Sequence, residues 1–116
     1  MSERLHVKIA GINFENPLIA ASGTFGFGRE FAEFYPLKTF GGISCKGLTL
    51  KERAGNPPPR IAETPGGMLN SVGLQNPGVE HFIREDLPWI RQQGPIVIAN
   101  IAGSTVDDYC QMAQRL

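Results

Sequence analysis

The sequence lacks the features that mark several common functional classes. Eleven basic residues balance 11 acidic ones, and no Lys/Arg cluster supplies the electrostatic surface of a nucleic-acid-binding protein. No apolar run approaches the roughly 20 residues of a membrane span, and the opening MSERLHVKIAG has no signal-peptide centre. We therefore expect no nucleic-acid or membrane partner and a cytoplasmic location.

Metal-binding and nucleotide-binding patterns are equally scarce. Cys45 and Cys110 have no CxxC spacing, and His6 and His81 have no partner at ligand spacing, so neither a metal site nor a disulfide framework is indicated. We interpret both cysteines as small buried side chains and both histidines as surface residues. Neither GxGxxG nor GxxxxGK[ST] occurs, which leaves a Rossmann fold or a phosphate-binding loop unsupported.

What the chain does contain is a series of short apolar strands. Alternating apolar residues over 5–9, with a return at 12–14, predict an N-terminal hairpin. A continuous apolar run at 18–21 suits a strand buried on both faces of a parallel sheet. Residues 41–46 are the next candidate strand, and residues 95–100 are the clearest buried strand.

Helical segments are predicted between and after the strands. They are residues 29–35, residues 79–93 with a kink or break at Pro88, and a third helix that follows a capping box at 104–107. The acidic pairs 85–86 and 107–108 are interpreted as helix-surface or capping residues. Alternation of strands and helices over these lengths is typical of right-handed βαβ units.

We therefore predict an α/β fold, the first part of a (β/α)8 TIM barrel preceded by a short β-hairpin. Three units do not close a barrel, which needs about 250 residues. Residues 1–116 are accordingly expected to form the N-terminal portion of a longer single domain.

Each predicted barrel strand ends in a small or polar residue, namely Ser22, Lys46 or Asn100. The carboxyl edge of the strands is where β/α barrels build their active sites. Lys46 would present a fixed positive charge to an anionic ligand there, and a lysine that simply extends into solvent would leave the same pattern.

The segment 64–78, TPGGMLNSVGLQNPG, carries no charge but contains four large apolar side chains. It is too rich in Gly, Pro and Asn for a strand or helix, so we interpret it as a loop folded over a flat, partly polar ligand. The amides of Asn70 and Asn100 suit the edge of a pyrimidine or flavin ring, although a structural role fits them almost equally well. Asn76, before Pro77, is better explained as a turn residue.

Four stretches carry a family resemblance. The series NPLIAASGTFGFGREF, CKGLTL, KERAGNPPPRIAETPGGMLNSVGLQNPG and PIVIANIAGS closely resembles dihydroorotate dehydrogenase, the flavin enzyme of pyrimidine synthesis, and looks most like its class 1B form. The similarity runs over essentially all 116 residues. It implies that the chain is the front part, about a third, of a flavin-binding β/α barrel.

The resemblance implies cofactor contacts position by position. Residues matching the family's FMN contacts are Ser22, Lys46, Gly47 and Asn100. Gly47-Leu48 stands where the family usually has Ala-Thr, which leaves the other contacts intact.

It also implies substrate contacts. Lys46 matches the lysine at the substrate carboxylate, and Asn70 matches the asparagine that bonds the pyrimidine. The segment matching the part of the family that closes over dihydroorotate is Asn70, Ser71, Val72, Gly73 and Leu74. The family's catalytic base is a cysteine in a later loop, so it is expected beyond Leu116, and no catalytic residue is assigned within this chain.

The implied function is FMN-dependent oxidation of dihydroorotate to orotate in UMP biosynthesis. Electrons would pass to NAD through a partner subunit with FAD and a 2Fe-2S cluster, in a heterotetramer built on a homodimer of catalytic subunits; fumarate is the other acceptor considered. The alternatives are a flavin barrel like that of dihydropyrimidine dehydrogenase, or a truncated chain with no activity of its own.

Overall fold

A computed structural model describes residues 3–116 as short strands and helices around a small parallel sheet. The strands are β1 (Val7–Ile9), β2 (Ile12–Phe14), β3 (Ile19–Ala20), β4 (Gly42–Leu48), β5 (Ile61–Thr64), β6 (Gly67–Asn70) and β7 (Ile96–Ile101). The α-helices are α1 (Ser22–Phe25), α2 (Val79–His81), α3 (Leu87–Gln92) and α4 (Val106–Arg115). Three 3₁₀ turns cover Glu3–Leu5, Phe31–Glu33 and Leu37–Thr39, and a π-helical turn covers Phe82–Asp86.

The central sheet contains three parallel strands in the order β3-β4-β7. Ile43 of β4 lies between Ala20 of β3 and Val97 of β7. The apolar runs thus predicted the strands and their parallel pairing correctly. The sheet is open in this chain, and its closure into a barrel remains a prediction.

Only one face of this sheet is fully covered. The residues buried on that face and in the segments packed against it are Ala20, Phe25, Leu37, Ile43, Cys45, Leu48, Phe82 and Ile90. On the other face Ile19 is 42% exposed, and Ile96 and Ile98 are half-buried. The predictions of a strand buried on both faces at 18–21 and of a buried strand at 95–100 are therefore wrong for this chain, because nothing among residues 3–116 covers the second face.

The N-terminal hairpin is confirmed. β1 pairs antiparallel with β2, and Val7 lies opposite Phe14. Its two-residue turn places Ala10 and Gly11 at φ 48° and 83°, as a turn matched to the twist of two antiparallel strands requires.

A second hairpin occupies part of the segment that the sequence predicts as a loop. β5 and β6 pair antiparallel, and Thr64 lies opposite Gly67 across a Pro65-Gly66 turn. Every residue of both strands is exposed. The prediction that 64–78 has no regular structure is thus wrong for Thr64 and residues 67–70, because Gly66 lies in the turn and Gly67 only begins β6, where it costs the ladder little.

The connection from β3 to β4 also differs from the prediction. A helix over 29–35 was expected, but only the 3₁₀ turn Phe31–Glu33 forms there, and α1 begins at Ser22 instead. The Phe25 ring stacks on Phe31 with centroids 4.5 Å apart and meets the edge of Phe40 at 5.2 Å. So short a segment has little helical stability of its own, and aromatic packing decides its path.

The helix predicted over 79–93 is confirmed as one continuous element with a local change of pitch. The Leu87 N–H donates to the Phe82 carbonyl across the π-helical turn, and Pro88 lies in the first turn of α3. The irregularity therefore precedes Pro88. Asp86 ends the π turn and is only 5% exposed, so the surface alternative is wrong for it. It occupies the N-cap position of α3 but makes no side-chain capping bond.

α4 is also confirmed, with its capping box one residue later than predicted. The Thr105 hydroxyl accepts from the Asp108 N–H at 3.2 Å, and the Asp108 carboxylate accepts from the N–H groups of Thr105 and Ser104. These backbone donors lower the pKa of Asp108. Asp107, the predicted box residue, instead accepts from Gln111.

The predictions for the two cysteines are partly wrong, and those for the two histidines are confirmed. Cys45 is fully buried, whereas Cys110 lies exposed on α4, so the buried assignment of Cys110 is wrong. His6 and His81 are both about half exposed, as predicted. Within residues 3–116, no helix has the length and apolar character needed to cross a membrane.

Candidate functional site

The carboxyl edge of the parallel sheet brings together polar residues that are far apart in the sequence. Ser22 follows β3, Lys46 lies near the end of β4, and Asn100 lies near the end of β7. The Asn100 Nδ2 donates to the Ser22 Oγ at 3.3 Å across 78 positions of sequence. Parallel strands with consecutive crossovers put such residues at one edge, which is why the sequence could identify them.

Lys46 lies at an irregularity in the β4–β7 pairing. Ser44 pairs with Ile98 and Gly47 with Asn100, so two residues of β4 span the interval that one residue spans on β7. Such bulges redirect a side chain and occur often beside active sites. The Lys46 N–H donates to the Gly26 carbonyl at 3.0 Å, which ties this strand to the loop after β3.

The Lys46 side chain is half-buried. Among residues 4–116, whose side chains the structure describes, no carboxylate lies in ion-pair range of its ammonium and no side-chain acceptor bonds to it. It lines a cleft that it shares with Phe27, Val72 and Pro77. This edge therefore offers a positive charge to a ligand.

Gly47 allows a close approach next to that charge. It is buried, and a Cβ added there would lie 2.8 Å from the Leu74 Cδ1 and 3.7 Å from the Asn100 Nδ2. A methyl group there would require the end of the Leu74 side chain to move. The absence of a side chain keeps the strand end flat.

The segment 71–76 approaches this edge through two of its apolar residues. Leu74, at φ 56°, contacts the position of Gly47, and Val72 lines the cleft around Lys46. Gly73 supplies the positive φ of 78° between them. Three residues of the predicted substrate segment are thus placed at the candidate site.

Asn70 and Ser71 have different surroundings. Asn70 ends the exposed strand β6, and both residues line a separate cleft with Arg60 and Leu69. The structure does not bring them to the cleft around Lys46. The assignment of Asn70 as a substrate contact stays a prediction.

Asn76 fixes the end of this segment to β4. It is 4% exposed, its Oδ1 accepts from the N–H groups of Thr49 and Gly78, and its Nδ2 donates to the Leu74 carbonyl. Gly78 then serves as the N-cap of α2. The turn interpretation of Asn76 is confirmed.

A second set of contacts joins the segment to the loop 51–60 and was missed by sequence reasoning. The Arg60 guanidinium donates to the carbonyls of Ala54 and Asn56 and to the Gln75 side chain, while the Asn56 Nδ2 donates to Ser71. The loop has no periodicity, and these partners lie up to 15 positions apart. No sequence signal indicates them.

The packing of these two loops gives a stability prediction at Gly55. Its φ is 78°, and an added Cβ would lie 2.3 Å from the Val72 carbonyl oxygen, so Gly55→Ala in the full-length protein should lower the free energy of unfolding by about 2 to 3 kcal/mol. Gly66→Ala is the control, because Gly66 has ordinary φ and open space around its Cβ position. Urea denaturation tests the pair; equal stabilities would contradict the proposed contact.

Cys45 lies directly before Lys46 but is no candidate nucleophile. Burial raises the pKa of its thiol to about 11, with a smaller contribution from the Asp86 carboxylate. The thiol is therefore neutral near pH 7, whereas the nucleophilic form is the thiolate. The expectation that the catalytic base lies outside this chain stays a prediction.

A parallel β/α sheet with a lysine and amides at its carboxyl edge is the architecture of β/α enzymes that bind a ligand at this edge. The family model for dihydroorotate dehydrogenase matches residues 4–116. The chain belongs to the dihydroorotate dehydrogenase family, as the sequence resemblance predicted.

Relatives and solved structures agree with this assignment. The chain is 56% identical over 110 residues to the dihydroorotate dehydrogenase B (NAD(+)) catalytic subunit of Petrotoga mobilis, covering 95% of this chain and 37% of that protein. For the subunit of the same name from Anoxybacillus flavithermus the identity is 53%, with coverages of 97% and 36%. A crystal structure of Eimeria tenella DHODH with ferulenol matches 98% of this chain and 34% of that one at a TM-score of 0.65 and 24% identity, which shows the shared fold.

The chain thus spans a little over a third of the length of the curated relatives it matches.

Proposed function

We propose that the carboxyl edge described above forms part of the active site of a dihydroorotate dehydrogenase that uses FMN. The observation that carries the proposal is Lys46, a half-buried cation whose side chain has no ion-pair partner among residues 4–116, beside the hydrogen-bonded Ser22 and Asn100. Dihydroorotate carries a carboxylate on a cyclic diamide. One cation and several amides are the groups that recognise such a molecule.

The residues at this edge also fit a flavin. Gly47 lacks a side chain where Leu74 and Asn100 converge, so a flat ring can approach the strand end. The Ser22 hydroxyl and the Asn100 amide bond to each other, and both can exchange that bond for one to a ring oxygen or nitrogen. Ser22, Lys46, Gly47 and Asn100 would hold the isoalloxazine, and bound FMN would supply the hydride acceptor for substrate oxidation.

The chain's own residues bind and orient the substrate in this proposal. The Lys46 ammonium holds the carboxylate, and the segment from Val72 to Leu74 covers the ring and excludes water. Asn70 would reach the pyrimidine through movement of the exposed hairpin that it ends. Holding the ring against its reaction partner can contribute several kcal/mol toward the barrier.

The remaining parts of the reaction lie outside residues 1–116. We propose that the proton is removed by a cysteine base beyond Leu116, and that electrons reach NAD through a partner subunit with FAD and a 2Fe-2S cluster. A catalytic homodimer within a heterotetramer completes the assembly. The shared name of the relatives, B (NAD(+)) catalytic subunit, supports this acceptor and a separate partner.

Substrate discrimination tests the proposal. The full-length enzyme should oxidise dihydroorotate with a kcat/KM at least about a hundredfold above that for dihydrouracil, because the latter lacks the carboxylate that Lys46 recognises. Steady-state assays with both compounds and an artificial electron acceptor measure the ratio. A preference for dihydrouracil would instead favour a barrel of the dihydropyrimidine dehydrogenase type. If neither compound were oxidised, both functions would be contradicted.

A further inference from the structure

The buried carboxylate of Asp86 pairs with Arg29, which directly follows the loop of residues 26–28 that bonds to the Lys46 backbone. The Asp86 side chain is 7% exposed, and its Oδ1 accepts from the Arg29 Nε and lies 3.0 Å from the Arg29 Nη2. The Arg29 guanidinium also lies over the Trp89 ring, 4.5 Å from its centroid, and donates to the Glu85 carbonyl at 3.3 Å. Arg29 is therefore fixed by a carboxylate, a carbonyl and an aromatic face.

This ion pair depends on the π-helical turn. Asp86 is the last residue of that turn, and Trp89 follows within α3. π-helical turns are rare insertions that occur often at functional sites. Here the turn coincides with the one acidic side chain that is buried among residues 4–116.

Only residues 26–28 and one hydrogen bond separate Arg29 from the Lys46 backbone, and these residues are tightly packed. Gly28, at φ 83°, leaves no room for a side chain, since an added Cβ would lie 3.0 Å from both Phe25 and Leu37. The Phe27 ring packs on Phe82 of the π turn, with centroids 5.5 Å apart. Gly26 then accepts the Lys46 N–H at 3.0 Å.

We propose that Arg29 and Asp86 are positioning residues for substrate binding. By fixing residues 26–28 against the helix, they hold the Gly26 carbonyl where it fixes the backbone of Lys46, and so they set where the ammonium meets the substrate carboxylate. The inference rests on the proposed function. It adds that the position of Lys46 is set by an ion pair that does not itself touch the substrate.

The geometry favours positioning over a role in stability alone. Asp86 is 7% exposed, so loss of the pair would also lower the free energy of unfolding; Arg29 itself is 46% exposed, and solvent screens part of its charge. Its planar fork, however, fixes direction as well as distance when it bonds a carboxylate and covers an aromatic ring. A displacement of about 1 Å at a reacting group can cost about a hundredfold in rate.

The test uses the full-length enzyme with Arg29→Met and Arg29→Lys. We expect Arg29→Met to raise KM for dihydroorotate about tenfold while kcat per bound flavin stays within about threefold. Arg29→Lys keeps the charge but loses the fork, so its KM should rise about threefold. Arg84→Met is the matched control, because Arg84 lies in the same π-helical turn as Asp86 and forms an exposed pair with Glu85. The KM of this variant should be unchanged.

KM and kcat per bound flavin are measured well below the melting temperature of each variant, which separates substrate positioning from loss of folded protein. An unchanged KM in Arg29→Met, with only a lower melting temperature, would overturn the inference and leave the proposed function intact. If Arg29→Met does not fold, an unchanged KM in Arg29→Lys overturns it equally. Failure of the unmodified enzyme to oxidise dihydroorotate would overturn the proposed function and the inference together.

Discussion

Replacement of Lys46 by methionine in the full-length enzyme is expected to lower kcat/KM for dihydroorotate by two to three orders of magnitude. The Lys46 ammonium has no ion-pair partner among residues 4–116, so its full charge is available to the substrate carboxylate. Loss of one partner of such a desolvated pair costs about 3 to 4 kcal/mol, and every 1.4 kcal/mol or so is a factor of ten. Methionine keeps the unbranched stem, so the packing of the strand end is preserved.

Steady-state kinetics measure this effect, and Lys38→Met provides the control. Lys38 is an exposed lysine in the 3₁₀ turn before β4, away from the carboxyl edge. Its replacement should leave kcat/KM within about twofold. Wild-type kcat/KM in Lys46→Met would exclude the proposed carboxylate contact.

The second large effect is expected in stability. Asn76→Ala removes an amide that is 4% exposed and that satisfies the N–H groups of Thr49 and Gly78 and the carbonyl of Leu74. Each buried group left without a partner costs about 1 to 3 kcal/mol. The free energy of unfolding should therefore fall by at least about 3 kcal/mol.

Urea denaturation of the full-length protein measures this loss. Asn13→Ala is the matched control, because Asn13 is exposed on β2, and its replacement should change the stability by no more than about 0.5 kcal/mol. KM for dihydroorotate should rise in Asn76→Ala as well, since the amide fixes the end of the covering segment. A loss below about 1 kcal/mol would mean that solvent reaches these backbone groups.

The sequence predicted those parts of the fold in which a local pattern and the tertiary structure agree. The apolar runs that became β4 and β7 are bounded by glycine, and their burial requires a parallel sheet covered by helices. From that topology alone, Ser22 and Asn100 fall at one edge, where they lie within hydrogen-bond distance.

The parts that were missed depend on contacts that no local pattern records. The hairpin of β5 and β6 was not predicted, because the glycines at its turn made the segment resemble a loop. The crossover after β3 follows the stacking of Phe25 on Phe31 in place of helix propensity. The pairing of Arg29 with Asp86 joins residues 57 positions apart, and a π-helical turn has no sequence signature that sets it apart from a regular helix.

The central claim is that the edge around Lys46 presents dihydroorotate to a bound flavin, and anaerobic titration tests it most directly. The full-length protein is purified with its flavin, oxygen is removed, and dihydroorotate is added while the visible flavin absorption is recorded. We predict stoichiometric bleaching in the wild type. In Lys46→Met, a much higher dihydroorotate concentration should be needed for the same bleaching. A flavin that stays oxidised in the wild type at saturating dihydroorotate would contradict it.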